Sequence, residues 1–258
     1  MIPQFVDTHC HFDFPPFCGN ETQSLQKAEE AGVEKLIAVG VAADRFAGVM
    51  ALAERFDPVY AALGIHPMAI NDFQEEHLEQ LEGWLEQRPD KLVAIGEIGL
   101  DLFIDNPQFD RQETVLDAQL RLARKHDLPV ILHSRRTHDK LAMHLRRLDL
   151  PSRGVVHGFA GSEQQALAFI KAGYFIGVGG TMTYERATKT RNTLSRLPLS
   201  SLLLETDSPD MPVKGFQGEP NRPERIRHIW QSLCAIREEP PQEIAEVIRD
   251  NSRRLFHI

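Results

Sequence analysis

The chain has 258 residues, 42% of them hydrophobic, enough to bury one large core, and its net charge of −8 disfavours a surface that coats DNA regardless of sequence. Three cysteines (Cys10, Cys18 and Cys234) without paired spacing argue against a disulfide framework and make the cytoplasm the expected compartment. No apolar run reaches the ~20 residues of a bilayer span, and no basic stretch followed by an apolar core marks a secretory signal, so no membrane association is expected.

Along the chain, short apolar β-type runs alternate with longer segments of helical spacing. Residues 5–8 form the first run, and helical spacing follows over 22–31, where Gly32 suits a helix C-terminus. Further runs lie at 35–40 and 59–64, then a helix is predicted over 75–87 and a strand over 92–96. The helix over 108–126 ends at Asp127-Leu128-Pro129, because the residue before proline avoids the α region. Strands follow at 130–132 and 154–156. Ser162 is placed to cap a helix over 162–172 that stops at Gly173. The last runs are 174–178 and 202–204, and 223–256 reads as helices closing the outside.

Eight runs joined by helices imply a parallel sheet, since parallel neighbours need crossover connections. Continuous apolar character fits strands buried on both faces. The expected architecture is one closed (β/α)8 barrel, a TIM barrel, as a single domain over 1–258. The alternative, an open doubly wound sheet, lacks its Gly-rich turn after the first strand.

Polar residues recur where these runs end. His9 and His11 lie two apart at the end of the first, and alternate residues of an extended strand face one side. Cys10, between them, points the other way and is expected in the core. His66 follows the third run, Glu97 and Asp101 the fourth, His133 and Arg135 the fifth, His157 the sixth, and Glu205 and Asp207 the eighth. A barrel gathers all strand C-termini on one face, where active sites are built. His77, His126, His138, His144 and His228 lie in helical or loop contexts and read as surface residues. Four of these histidines and two of the carboxylates make six ligand candidates, more than one tetrahedral ion takes, so two divalent ions fit better. Such a pair suits phosphoester hydrolysis, and no Gly-x-Ser-x-Gly element competes with it.

With these residues assembled, the chain resembles the TatD family of metal-dependent hydrolases, barrels related to the amidohydrolases and often described as TatD-type deoxyribonucleases. The matching blocks, in family order, are VDTHCHFD (6–13), GIHP (64–67), GEIGLD (96–101), PVILHSR (129–135), HGFAGS (157–162) and ETDSP (205–209). The resemblance implies that His9 and His11 hold one ion with Asp207 near it, that His133 and His157 hold a second, and that Glu97 bridges them. It further implies that Asp207 deprotonates or orients the attacking water. Glu205 would orient substrate or water, or else support a histidine ligand. His66 would contact a substrate oxygen and Arg135 a phosphate. The ions would be zinc, manganese or magnesium, and the substrate DNA or a small phosphoester. An amide, ester or aminoacyl-RNA hydrolase using the same activated water is the alternative. No obligate protein partner is evident, and a monomer or a dimer is compatible. The chain departs from the family pattern at its rim: Arg136 stands where an acid is common, and Leu102-Phe103-Ile104-Asp105 replaces a stretch usually rich in tyrosine and arginine. Gly158 and Ala160 alter the block after His157, and Asp210 stands where a large residue is common.

Overall fold

Every expected β run becomes a strand in the computed structural model, which describes residues 1–258. The strands are β1 (Phe5–Cys10), β2 (Val33–Val39), β3 (Val59–Leu63), β4 (Leu92–Asp101), β5 (Val130–Arg135), β6 (Gly154–Val156), β7 (Phe175–Val178) and β8 (Leu202–Leu204). The helices are α1 (Glu21–Glu30), α2 (Phe46–Arg55), α3 (Glu75–Gln87), α4 (Phe109–His126), α5 (His138–Leu148), α6 (Glu163–Lys171), α7 (Thr188–Arg196), α8 (Ile226–Cys234) and α9 (Pro241–Phe256). Each strand pairs in parallel with the next, in the order β1 to β8.

The barrel closes between β8 and β1 without a full ladder. The Asp207 N–H donates to the His9 carbonyl at 2.8 Å and the His11 N–H to that of Ser208 at 2.7 Å. Side chains supply the rest. The Thr8 hydroxyl donates to the Leu204 carbonyl at 2.9 Å. Asp7, fully buried, accepts from the Thr206 N–H at 2.9 Å and from its hydroxyl at 2.6 Å.

Two apolar layers follow from strand alternation. Ile37, Val39, Ala62, Ala94, Ile131, Val155 and Leu203 form one cluster with Leu255 and Phe256, and it fills the barrel interior. The opposite strand faces, such as Leu36, Ala38, Ile95, Leu132 and Leu204, join the larger cluster packed under the helices. A period of two therefore places His133 above Ile131, His157 above Val155 and Glu205 above Leu203 on the inner face.

Helix punctuation follows the sequence. Ser162 accepts from the Gln165 N–H at 3.1 Å, while the Gln165 side chain accepts from the Ser162 N–H at 3.0 Å, a reciprocal cap on α6. The surface reading fails at two histidines, and the first is His126, whose side chain is 8% exposed. His144 is not a surface residue but is 3% exposed. Its Nδ1 lies 2.7 Å from Asp117 and its Nε2 2.8 Å from Glu113, so it ties α5 to α4. Leu141, His144, Leu145 and Leu148 lie at i, i+3, i+4 and i+7, which is the buried stripe of a helix.

Candidate metal centre and active site

β4 and β5 run longer than the sequence indicated. Their inner faces carry Glu97 and His133 within the strands rather than beyond them. β4 and β5 stay paired through a register shift between Gly96 and Ile98, which re-aims the strand at Glu97. Gly99 has φ +153°, and a Cβ there would collide with the His133 carbonyl, so only glycine lets the two ligand-bearing strands approach.

Glu97 lies at the centre and is nearly fully buried. Its Oε2 faces His9 Nε2 at 3.1 Å and His11 Nε2 at 3.6 Å. Its Oε1 faces His157 Nε2 at 2.7 Å, His133 Nδ1 at 3.0 Å and His66 Nε2 at 3.2 Å. Asp207 Oδ1 meets the same nitrogens of His9 and His11 at 3.3 and 3.2 Å. The residues that the sequence nominated therefore converge: His9, His11, His66, Glu97, His133, His157 and Asp207 form one cluster, and with Glu205 they make three candidate groups of metal donors, His9–His157–Glu205, His9–His11–Asp207 and His66–Glu97–His133.

Local contacts set which nitrogen each histidine presents. The Asp101 carboxylate lies 2.7 Å from His133 Nε2, so that nitrogen carries the proton and Nδ1 turns its lone pair to the centre. His66 is held the other way. Its Nδ1 accepts from the Met68 N–H at 2.9 Å, which leaves an N–H on Nε2 directed into the site. Burial lowers the His66 pKa, outweighing Glu97, and keeps this neutral donor form. Glu205 is nearly fully buried at the edge of a cavity over the site. It accepts from the Gly158 N–H, and its Oε1 lies 3.5 Å from His157 Nδ1. A Cβ on Gly177 would come within 2.5 Å of Glu205 Oε2, so a glycine there makes room for the carboxylate.

Asp207 adopts φ +57°, a left-handed backbone that costs a non-glycine residue about 1–3 kcal/mol. The surrounding bonds impose it: the Asp207 N–H on the His9 carbonyl and the Asp210 N–H on the Asp207 carbonyl. The Asp7–Thr206 pair fixes the preceding residue.

Electrostatics match this crowding. Burial opposes ionisation of Glu97, but His157, His66 and His9 outweigh it and hold the carboxyl well below its ordinary range. Asp207 is likewise lowered against burial, chiefly by His11 and His9. Burial and the stacked His157 ring, 3.9 Å away, oppose protonation of His9, yet Glu97 and Asp207 raise it to about 9. Two central acids, Glu97 and Asp207, thus face five imidazoles, with Asp101 behind His133 and Glu205 behind His157. His133 Nδ1 and His157 Nε2 face each other at 3.4 Å beside Glu97 Oε1. Imidazole nitrogens and carboxylate oxygens converging on one point are a donor set for divalent cations bound by nitrogen and oxygen.

Two cavities open over the cluster, of about 670 and about 530 Å³, and both reach His133, Arg135, His157, Asp207 and Asp210. Arg135 is exposed at the rim, where the sequence placed it. Asp101 is the functional residue that the sequence reading left without a role. Its signal was present in the GEIGLD block, because metal-binding histidines commonly donate their far N–H to a carboxylate.

The profile of the TatD related DNase family matches residues 6–257. A metal-dependent hydrolase of Escherichia coli K12, YjjV, described as uncharacterized, is 60% identical over 258 residues and 100% of both chains. Its crystal structure superposes with a TM-score of 0.98, again over 100% of both chains. The 3'-5' ssDNA/RNA exonuclease TatD of a Rahnella species is 32% identical, covering 93% of each chain. The human deoxyribonuclease TATDN3 is 32% identical over 97% of this chain and 94% of its own.

Proposed function

The chain belongs to the family of TatD related DNases and is a metal-dependent hydrolase; on that footing we propose that it cleaves phosphodiesters, in DNA strands or small nucleotides, with two divalent ions. His9, His11 and Asp207 would hold one ion, His133 and His157 the other, and Glu97 would be shared between them. The observation that carries this reading is the division of Glu97: Oε2 faces His9 and His11, and Oε1 faces His133 and His157. The nuclease names of the Rahnella and human relatives support a phosphodiester substrate.

Zinc, manganese or magnesium bound there would lower the pKa of a water and neutralise charge on a phosphoryl oxygen. The chain's own side chains divide the remaining work. Asp207 accepts the water's proton: its side chain is 19% exposed, against 3% for Glu97, so it is the acid open to the cavity. His66 donates its Nε2–H to a substrate oxygen. Arg135 receives a phosphate through its planar donors. Glu205 sets the orientation of His157 from behind, and Asp101 does so for His133.

The test uses metal-stripped protein reloaded with Mn²⁺, Zn²⁺ or Mg²⁺. Bis(p-nitrophenyl) phosphate and short single-stranded DNA are compared with p-nitrophenyl acetate and N-acyl amino acids. Turnover of the phosphodiesters, lost with chelator, is expected. Turnover confined to the carbonyl substrates would overturn the proposal in favour of an amide or ester hydrolase.

A further inference from the structure

Phe103, in the loop after β4, carries two guanidiniums. The Arg135 carbon lies 3.7 Å from its ring centroid and that of Arg136 4.7 Å. The ring is 51% exposed, so all three side chains stand at the mouth rather than in the core. Consecutive residues of an extended strand point to opposite sides. Here Arg136 leaves β5 with φ +60°, a left-handed turn that bulky residues avoid, and this brings its side chain round to the ring that Arg135 already covers.

Two features make this arrangement one that awaits a ligand. Most guanidiniums near an acid are paired with it, as Arg45 is with Asp13 and Arg237 with Glu239. Arg135 and Arg136 have no such partner, although like charges at close quarters repel. Stacking also occupies only the flat faces, leaving the N–H edges of both groups free for planar oxyanions. Arg135 is the one Lys or Arg lining either cavity, while Glu97, Asp207 and Asp210 supply acids there. The stacked pair is therefore the fixed positive charge that an anionic substrate meets at the entrance.

We propose that Phe103, Arg135 and Arg136 form a clamp for a second phosphate, the one adjacent to the scissile phosphodiester along a nucleotide chain. This rests on the phosphodiesterase reading above and narrows it. The preferred substrate carries two phosphates one nucleotide apart, so a mononucleoside ester with one phosphate uses half the site. Arg135 serves both positions, and Arg136 is the residue that reads the second phosphate.

The experiment measures equilibrium binding to protein held metal-free with chelator, which separates recognition from hydrolysis. The dinucleotide d(TpT) is compared with d(pTpT) and d(TpTp), which each add one phosphate. Wild-type protein should bind at least one of the phosphorylated forms about tenfold more tightly than d(TpT), as charge-assisted guanidinium contacts imply. Arg136→Gln should reduce that advantage to within twofold, and Phe103→Leu, which frees both guanidiniums, should reduce it partly. Arg136 is exposed, so a thermal melt close to wild type is expected for its variant. Equal binding of all three ligands by the wild type overturns the clamp, and so does an advantage that survives Arg136→Gln. If the advantage holds while the metal-loaded enzyme cleaves no phosphodiester, the phosphodiesterase reading fails instead.

Discussion

The molecule holds two buried histidine–carboxylate clusters, and they differ in how their hydrogen-bonding capacity is met. Around His144, one ring faces two acids, one at each nitrogen, and Arg147 and Lys140 stand beside those acids. Around Glu97, five imidazoles crowd two central carboxylates, and His133 and His157 each have one further acid behind them, Asp101 and Glu205. The first cluster is complete as it stands. In the second, several rings turn on one carboxylate, so their nitrogens converge on a single point. Residue type is the same in both, so the convergence of several imidazoles on one carboxylate is what distinguishes a metal centre from a structural clamp.

The sharpest way to break this comparison is Asp207→Asn. The amide keeps the shape and tolerates the left-handed backbone, but it cannot take a proton from water. Turnover on bis(p-nitrophenyl) phosphate should fall by about 10²–10⁴, while metal analysis still finds at least one ion per chain. A variant that retains turnover would remove Asp207 from the role of base. Asp101→Ala should act next most strongly. Without the acceptor at Nε2, His133 loses the contact that fixes its tautomer, and metal affinity should drop about 10–100-fold. Asp101→Asn, whose amide oxygen still accepts, should recover part of the loss in the same chelator competition.

How much of this was legible in the sequence depends on the kind of interaction. All eight strands were visible, because strands buried on both faces are continuously apolar. Their ends were not. β4 was expected to stop at Gly96, yet it continues through Asp101, because the ligand-bearing stretch remains paired with β5. Polarity marks a strand as ending when it is read alone, and pairing across a register shift cannot be read from one segment. The cluster residues were legible because each sits at a strand's C-terminal end. Their division of labour was not. Glu205 was open to a substrate role until its contacts with Gly158 and His157 were known, and Asp101 had no assigned role at all. His144 was misread because its acids lie on another helix, 27 and 31 residues away.

A smaller, graded effect concerns pH. His9 is raised to about 9, with Glu97 and Asp207 prevailing over burial and His157, and its stabilising contacts in the metal-free chain are present below about 6.5 and lost as pH rises through about 9. A proton on a ligand nitrogen competes with the metal. Affinity should therefore strengthen with pH up to about 9, by about tenfold per unit for each proton displaced, and then flatten. Proton release on metal addition, followed in weakly buffered solution, should decline over the same window. Affinity that falls as pH rises from about 6.5 would mean that the imidazoles are not the ligands.

At the other cluster the expected effect on the metal centre is none. His144→Leu keeps the apolar bulk but leaves Glu113 and Asp117 without the ring between them. Both acids are partly open to solvent, at 21% and 15%, so the loss should be below the about 3–5 kcal/mol of a fully buried broken pair. At about 2–4 °C per kcal/mol for a chain of this size class, the melting temperature should fall by several degrees. Metal stoichiometry and kcat should stay at wild-type values, because His144 joins α4 to α5 on the outside of the barrel and contributes to neither cavity. A loss of bound metal in this variant, at a temperature where it remains folded, would show the two clusters to be coupled through α4. Counting the imidazoles that converge within each cluster would then no longer separate them.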